Sequence, residues 1–97
     1  MLKLKFTDSA QLDLESVTDF TIENWGNNQA ETYLNQLQEL LNTLAENPTL
    51  GLMRESLGTN IQSFQYKSHH IFYFCENDTL HILRILHGSS DPIWHLT

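Results

Sequence analysis

The sequence predicts an α+β fold in which a helical hairpin packs on an antiparallel sheet. Three observations point there. Residues 30–44 carry a leucine stripe at helical spacing. The last third holds three apolar runs of strand length. Short turn signals join those runs.

The first element is a strand. "MLKLKF" alternates apolar and polar residues with period two, so Lys3 and Lys5 share one face. "TDSAQ" then starts a helix. Thr7 or Asp8 can cap it, and Gln11 stands three residues after Asp8, as in a capping box. Ala10, Leu14, Val17 and Trp25, flanked by Phe20, form one broad apolar face. Trp25 is expected to plug the core at the helix end. Gly26 stops this helix, and Asn28 with Glu31 offers a second capping box.

In the second helix Ala30, Tyr33, Leu34, Leu37, Leu41 and Leu44 obey the i, i+3, i+4, i+7 rule, and "ENP" ends it before Pro48. Two amphipathic helices joined by a few residues make an antiparallel hairpin. "PTLGLMRESLGTN" reads as a loop. "IQSFQY", "HHIFYFCE" and "TLHILRILH" follow as strands, the middle one apolar almost throughout, with Asn77-Asp78 as the last turn. In the final strand Leu80, Ile82, Arg84 and Leu86 are expected on one face, and His81, Leu83, Ile85 and His87 on the other. The order is β-α-α-β-β-β in one domain over residues 1–97, with one sheet face covered by the helices and the other left for a partner.

Composition narrows the function classes. The 97 residues carry a net charge of −7. The five cations, Lys3, Lys5, Arg54, Lys67 and Arg84, are scattered, which argues against direct sequence-specific nucleic-acid binding. Nine of the twelve acids lie between Asp8 and Glu55, whereas all five histidines come after them. No apolar run approaches the roughly 20 residues of a membrane span, and the N-terminus lacks a secretion-type apolar core. Cys75 is the only cysteine, so an internal disulfide and CxxC metal sites are excluded; it is expected to be a buried small hydrophobe. A cytoplasmic location is expected.

Two pairs invite chemistry. RNA cleavage needs a base, an acid and cations. His87 and Arg84 supply the residue types, with Lys67 and Tyr73 as possible additions. Three residues apart in a strand, however, Arg84 and His87 point to opposite faces. Arg84 suits a salt bridge with an acid of the helical layer or of a partner, and His87 a bond to a neighbouring backbone group or to Asp91. His69 and His70 are adjacent strand residues, so they cannot both ligate one metal ion without distortion. No metal and no cofactor is expected. Trp94 is read as a staple of the C-terminus or, if exposed, as an interaction hot spot.

Several stretches together resemble the RelE/ParE superfamily of toxin-antitoxin toxins. They are Ala10 to Phe20, "WGNNQAETYLNQL" from Trp25, "LAENPTLG" from Leu44, Arg54, "HHIFYF" from His69 and "ILRILHGSSD" from Ile82. The last is most similar to the ParE branch. The resemblance implies a bacterial or phage toxin neutralised by a ParD-type antitoxin, and a non-enzymatic module that inhibits DNA gyrase by binding. The expected antitoxin- or target-binding residues are Arg54, Lys67, Arg84, His87 and Trp94. Two alternatives stay open: a RelE-like ribosome-dependent mRNA endoribonuclease, and a degenerate toxin that retains only antitoxin binding. The acidic balance, and Gly58-Thr59-Asn60 where relatives often carry an arginine, speak for the latter.

Overall fold

A computed structural model describes residues 1–87. Strand β1 spans Lys3–Phe6, helix α1 Asp8–Trp25 and helix α2 Asn27–Glu46. Strand β2, Leu52–Met53, lies between two short 3-10 turns, Pro48–Leu50 and Glu55–Leu57. Strands β3, β4 and β5 span Gln62–Tyr66, His69–Glu76 and Thr79–His87. The strands form a single five-stranded sheet in the order β1-β5-β4-β3-β2.

The hairpin and the three-stranded meander are as the periodicity implies. Two features of the sheet differ from expectation. β1 joins β5 in parallel, so the sheet is mixed rather than wholly antiparallel. The helical hairpin carries the chain back across the sheet after β1, which allows a parallel pair without a sharp turn. The loop after Pro48 also contributes the two-residue edge strand β2 against β3.

Thr7 resolves the first cap. Its side chain accepts from the Ala10 backbone N–H at 3.1 Å and donates to the Leu83 carbonyl at 2.8 Å, tying the helix start to β5. Gly26, with φ of 87°, both ends α1 and begins α2. No side chain caps α2, so the second capping box does not form. Trp25 is 70% exposed instead of plugging the core, because α1 turns Ala10, Val17 and Thr21 inward.

The core sits between the hairpin and one sheet face. Leu37, Leu41 and Leu44 of α2 meet Ile71, Tyr73, Leu80, Ile82 and Ile85. Truncating any one of these leucines to alanine removes a fully packed side chain, a change of about 2–5 kcal/mol. Cys75 is half-buried against this cluster rather than fully buried. Its thiol is pushed up by that burial.

Tyr73 locks the loop to the sheet. Its hydroxyl donates to the Pro48 carbonyl at 2.7 Å and accepts from the Gly51 N–H at 2.9 Å. Glycine is needed at 51, because a Cβ there would collide with the Tyr73 ring and hydroxyl.

A β-bulge decides the faces of β5. Phe72 pairs with Arg84 and Tyr73 with Ile82, which leaves Leu83 without an opposite number. The alternation therefore changes phase at Leu83. Leu80, Ile82 and Ile85 all face the helices, and His87 joins that side opposite His69. Arg84 and Leu86 pair with Phe72 and His70, and the Arg84 side chain reaches Asp13 of α1 past the point where β1 ends.

Candidate functional site

Of the expected binding residues, Arg84 and His87 border one cleft between α1 and the end of β5, although three residues apart in a strand should separate them, whereas Arg54 and Lys67 lie away from it. Arg54 precedes the second 3-10 turn, where its guanidinium donates to Ser63 Oγ at 3.2 Å and lies 5.9 Å from the Phe72 ring centre. Lys67 is at the tip of the β3–β4 turn, in the left-handed region with φ of 54°. His87 ends β5. Trp94 lies outside the described residues.

Arg84 is held by α1. Its Nε donates to Asp13 Oδ2 at 2.7 Å and its Nη2 to Asp13 Oδ1 at 2.9 Å, a two-pronged fork. Asp13 Oδ2 also accepts the Ile85 N–H at 2.9 Å. The carboxylate thus satisfies β5 beyond the point where β1 stops pairing with it. Hydrogen bonding from Asp13 pushes the Arg84 guanidinium higher still, so it is charged at any physiological pH. The salt bridge to an acid of the helical layer is the alternative that the sequence left open for this arginine.

Tyr73 is fully buried and engaged with Pro48 and Gly51, while Lys67 stands at the far end of β3 from Tyr73's partner Gln62. Arg84, His87, Lys67 and Tyr73 therefore do not line one phosphate-sized hollow.

A different set does assemble. The Tyr33 hydroxyl and His69 Nδ1 are 2.9 Å apart. The His69 and His87 rings meet edge to face at 5.7 Å. Lys67 Nζ lies 5.2 Å from the Tyr33 ring centre and 5.6 Å from that of Tyr66, and donates to Gln36 Oε1 at 3.1 Å. His70, by contrast, stacks on Phe72 at the other face, so the adjacent histidines do point apart. Among the described residues no three His, Cys, Asp or Glu side chains are grouped to hold a metal ion.

Electrostatics follow from this packing. Burial lowers the His69 pKa, and the nearby His87 and His70 lower it further, so its imidazole is neutral near pH 7. Burial, with a smaller contribution from Tyr66, pushes Tyr33 up to about 12. The hydroxyl therefore stays protonated and remains a donor.

Two clefts flank this cluster. One, of about 420 Å³, runs between α1 and the end of β5 and is lined by Asp13, Phe20, His69, Arg84 and His87 among others. The second, of about 300 Å³, is lined by Phe20, Trp25, Tyr33, Lys67 and His69 among others. Phe20 and His69 border both. Phe20 is 59% exposed and, with exposed Trp25, gives the second cleft an apolar rim. Sequence reasoning missed Phe20, Tyr33 and His69 as members of one site. Their signal is weak, because they come from α1, α2 and β4 and meet only through the sheet register.

A helical hairpin laid on such a sheet is the architecture of small toxins of the RelE/ParE type. The chain of the chromosomal ParDE TA system from P. aeruginosa superposes with a TM-score of 0.75 at 21% identity, covering 90% of this chain and 96% of that one. The YoeB-YefM complex from Staphylococcus aureus contains a chain that superposes with a TM-score of 0.60 at 16% identity, covering 90% and 97%. At such identities these likenesses establish the fold alone. The sequence decides the branch. Residues 4–92 match the family profile of the ParE toxin of type II toxin-antitoxin system, parDE. Toxin ParE1 of Mycobacterium tuberculosis is 33% identical over 84 residues, 86% of each chain, and Toxin ParE1 of Caulobacter vibrioides is 29% identical over 96 residues, 99% of each. The chain belongs to the ParE toxin family of type II toxin-antitoxin systems.

Proposed function

We propose that this ParE-family toxin acts in the cytoplasm by binding protein partners, as one domain over residues 1–97. A ParD-type antitoxin neutralises it, and DNA gyrase is its target. No described helix is long and apolar enough to cross a membrane. The observation that carries the binding mode is the commitment of the would-be catalytic groups. Arg84 is forked onto Asp13, and Tyr73 is sealed in the core on Pro48 and Gly51. Beside them lies a cleft edged by exposed Phe20 and Trp25, with Lys67 on its lining. Lys67, His87, Arg54, Arg84 and Trp94 stay as proposed contacts. Of these, Arg84 contributes by shaping α1 against β5 as well as by any direct contact.

A supercoiling assay with purified gyrase and relaxed plasmid tests the target. Loss of supercoiling at micromolar toxin, restored by added antitoxin, is the expected result. One observation favours a second reading, RelE-like endoribonuclease action. His69 and His87 form an imidazole pair near Lys67, and such a pair supplies both an acid and a base. Cleaved message in a translating extract, with gyrase untouched, supports that reading. Inactivity in both assays together with antitoxin binding identifies a degenerate toxin.

A further inference from the structure

We propose that the cleft between the C-terminal half of α1, the start of α2 and the β3–β4 turn receives a carboxylate-bearing, aromatic segment of the antitoxin. The acid side chain meets Lys67 at the His69 edge, and the neighbouring apolar side chain lies between Phe20 and Trp25. This rests on the toxin-antitoxin reading above and adds the place and chemistry of the contact.

Charge selects the occupant. The whole chain holds twelve Asp and Glu against five Lys and Arg, yet no carboxylate is among the described residues that line this cleft. Its ionisable lining is Lys67, His69 and the protonated Tyr33. Trp25 closes α1, and Gln29 sits in the first turn of α2, so the N-terminal end of that helix opens here. That first turn carries no acidic residue, so it adds no negative charge beside the cleft. Lys67 is held over two tyrosine rings and by Gln36, which fixes its ammonium before any partner arrives.

Apolar surface defines the rest of the segment. Phe20 and Trp25 are 59% and 70% exposed on the same rim. Exposed aromatics on the rim of a mostly apolar cleft are the usual anchors of a protein interface. RNA fits less well. A strand of phosphates needs a row of cations, whereas this cleft offers one lysine and lies between helices that carry exposed Asp19, Glu23 and Glu31. A peptide with one well-placed carboxylate and apolar neighbours matches both features.

Isothermal titration of full-length antitoxin into purified toxin tests the assignment. Trp25→Ala and Lys67→Met each weaken binding about tenfold or more, and Lys67→Met also flattens the salt dependence. Lys67→Arg keeps the charge and restores binding to within about threefold of wild type. Lys3→Met, at the opposite end of the sheet in an exposed pair with Asp78, leaves affinity within about twofold. Trp25 and Lys67 are exposed, so these variants fold, and an unchanged circular dichroism spectrum verifies it. Wild-type affinity in both Trp25→Ala and Lys67→Met overturns the inference while leaving the toxin-antitoxin reading intact. Failure of the wild-type protein to bind antitoxin at all overturns both.

Discussion

Two polar clusters lie near the end of β5, one on the strand at Arg84 and one across from His87, and they are built on opposite principles. At Arg84 each described polar group has an answer: the guanidinium fork meets both oxygens of Asp13, and one of those oxygens also takes the Ile85 N–H. Both side chains are largely withdrawn from water, at 18% and 13% exposure. At Lys67, Tyr33 and His69 the groups hold one another in place yet border an open cleft rimmed by exposed aromatics. The first arrangement spends its arginine on joining a helix to a strand. The second keeps a cation, a donor hydroxyl and an imidazole within reach of solvent. A residue type alone does not say which of these it will do. Its partners do.

Breaking the closed cluster has the largest expected effect. Asp13→Ala removes the carboxylate shared by the Arg84 fork and the Ile85 N–H, and is expected to lower the unfolding free energy by about 3 kcal/mol. Urea unfolding at neutral pH measures it. Next comes the Tyr73 lock. Tyr73→Phe strands the Gly51 N–H and takes one of two donors from the Pro48 carbonyl, leaving it to Gln62, and is expected to cost about 1–2 kcal/mol. Gly51→Ala forces the same contact apart from the other side, and both variants should expose the loop from Pro48 to faster amide exchange.

The open cluster has a smaller, pH-dependent signature. His69 is depressed below its ordinary value by burial first and its histidine neighbours second. Folding therefore favours the neutral ring. Its contribution is present above the unfolded value near 6.5 and is lost as pH falls through the lower folded value. The wild-type protein should lose more stability than His69→Phe between about pH 7.5 and pH 5. Smallest of all, Trp25→Ala and Lys67→Met should shift stability by no more than about 0.5 kcal/mol, since both side chains are on the surface.

The contrast also marks how far sequence reasoning reaches. The α2 stripe and the final hairpin were legible because burial imposes a period on them. The acid-to-Arg84 bridge was legible as a type of contact, though not as Asp13. The His69–His87 pair was not. Counting outward from Glu76 opposite Thr79 places His69 opposite Leu86 in a regular hairpin. The Leu83 bulge adds one residue and brings His87 there instead. Nothing local in "ILRIL" announces that bulge. It arises where Thr7 takes the Leu83 carbonyl and Asp13 the Ile85 N–H, two tertiary contacts from the start of α1. The parallel pairing of β1 was hidden for a similar reason, since "KLKF" fits either direction and the hairpin's return path decides. Trp25 misled because a large aromatic on an apolar face reads as core, while Gly26 turns the chain before that face is covered.

The account divides the molecule into a cluster that holds the fold and a cleft that binds, and the melting temperature with and without saturating antitoxin tests that division directly. Asp13→Ala should melt lower than wild type alone but keep most of its rise from antitoxin, because the Lys67 cleft is intact even though the proposed contact Arg84 loses its fork. Lys67→Met should melt with wild type alone and gain markedly less. The reverse pattern, a normal rise for Lys67→Met and a vanished one for Asp13→Ala, would contradict it.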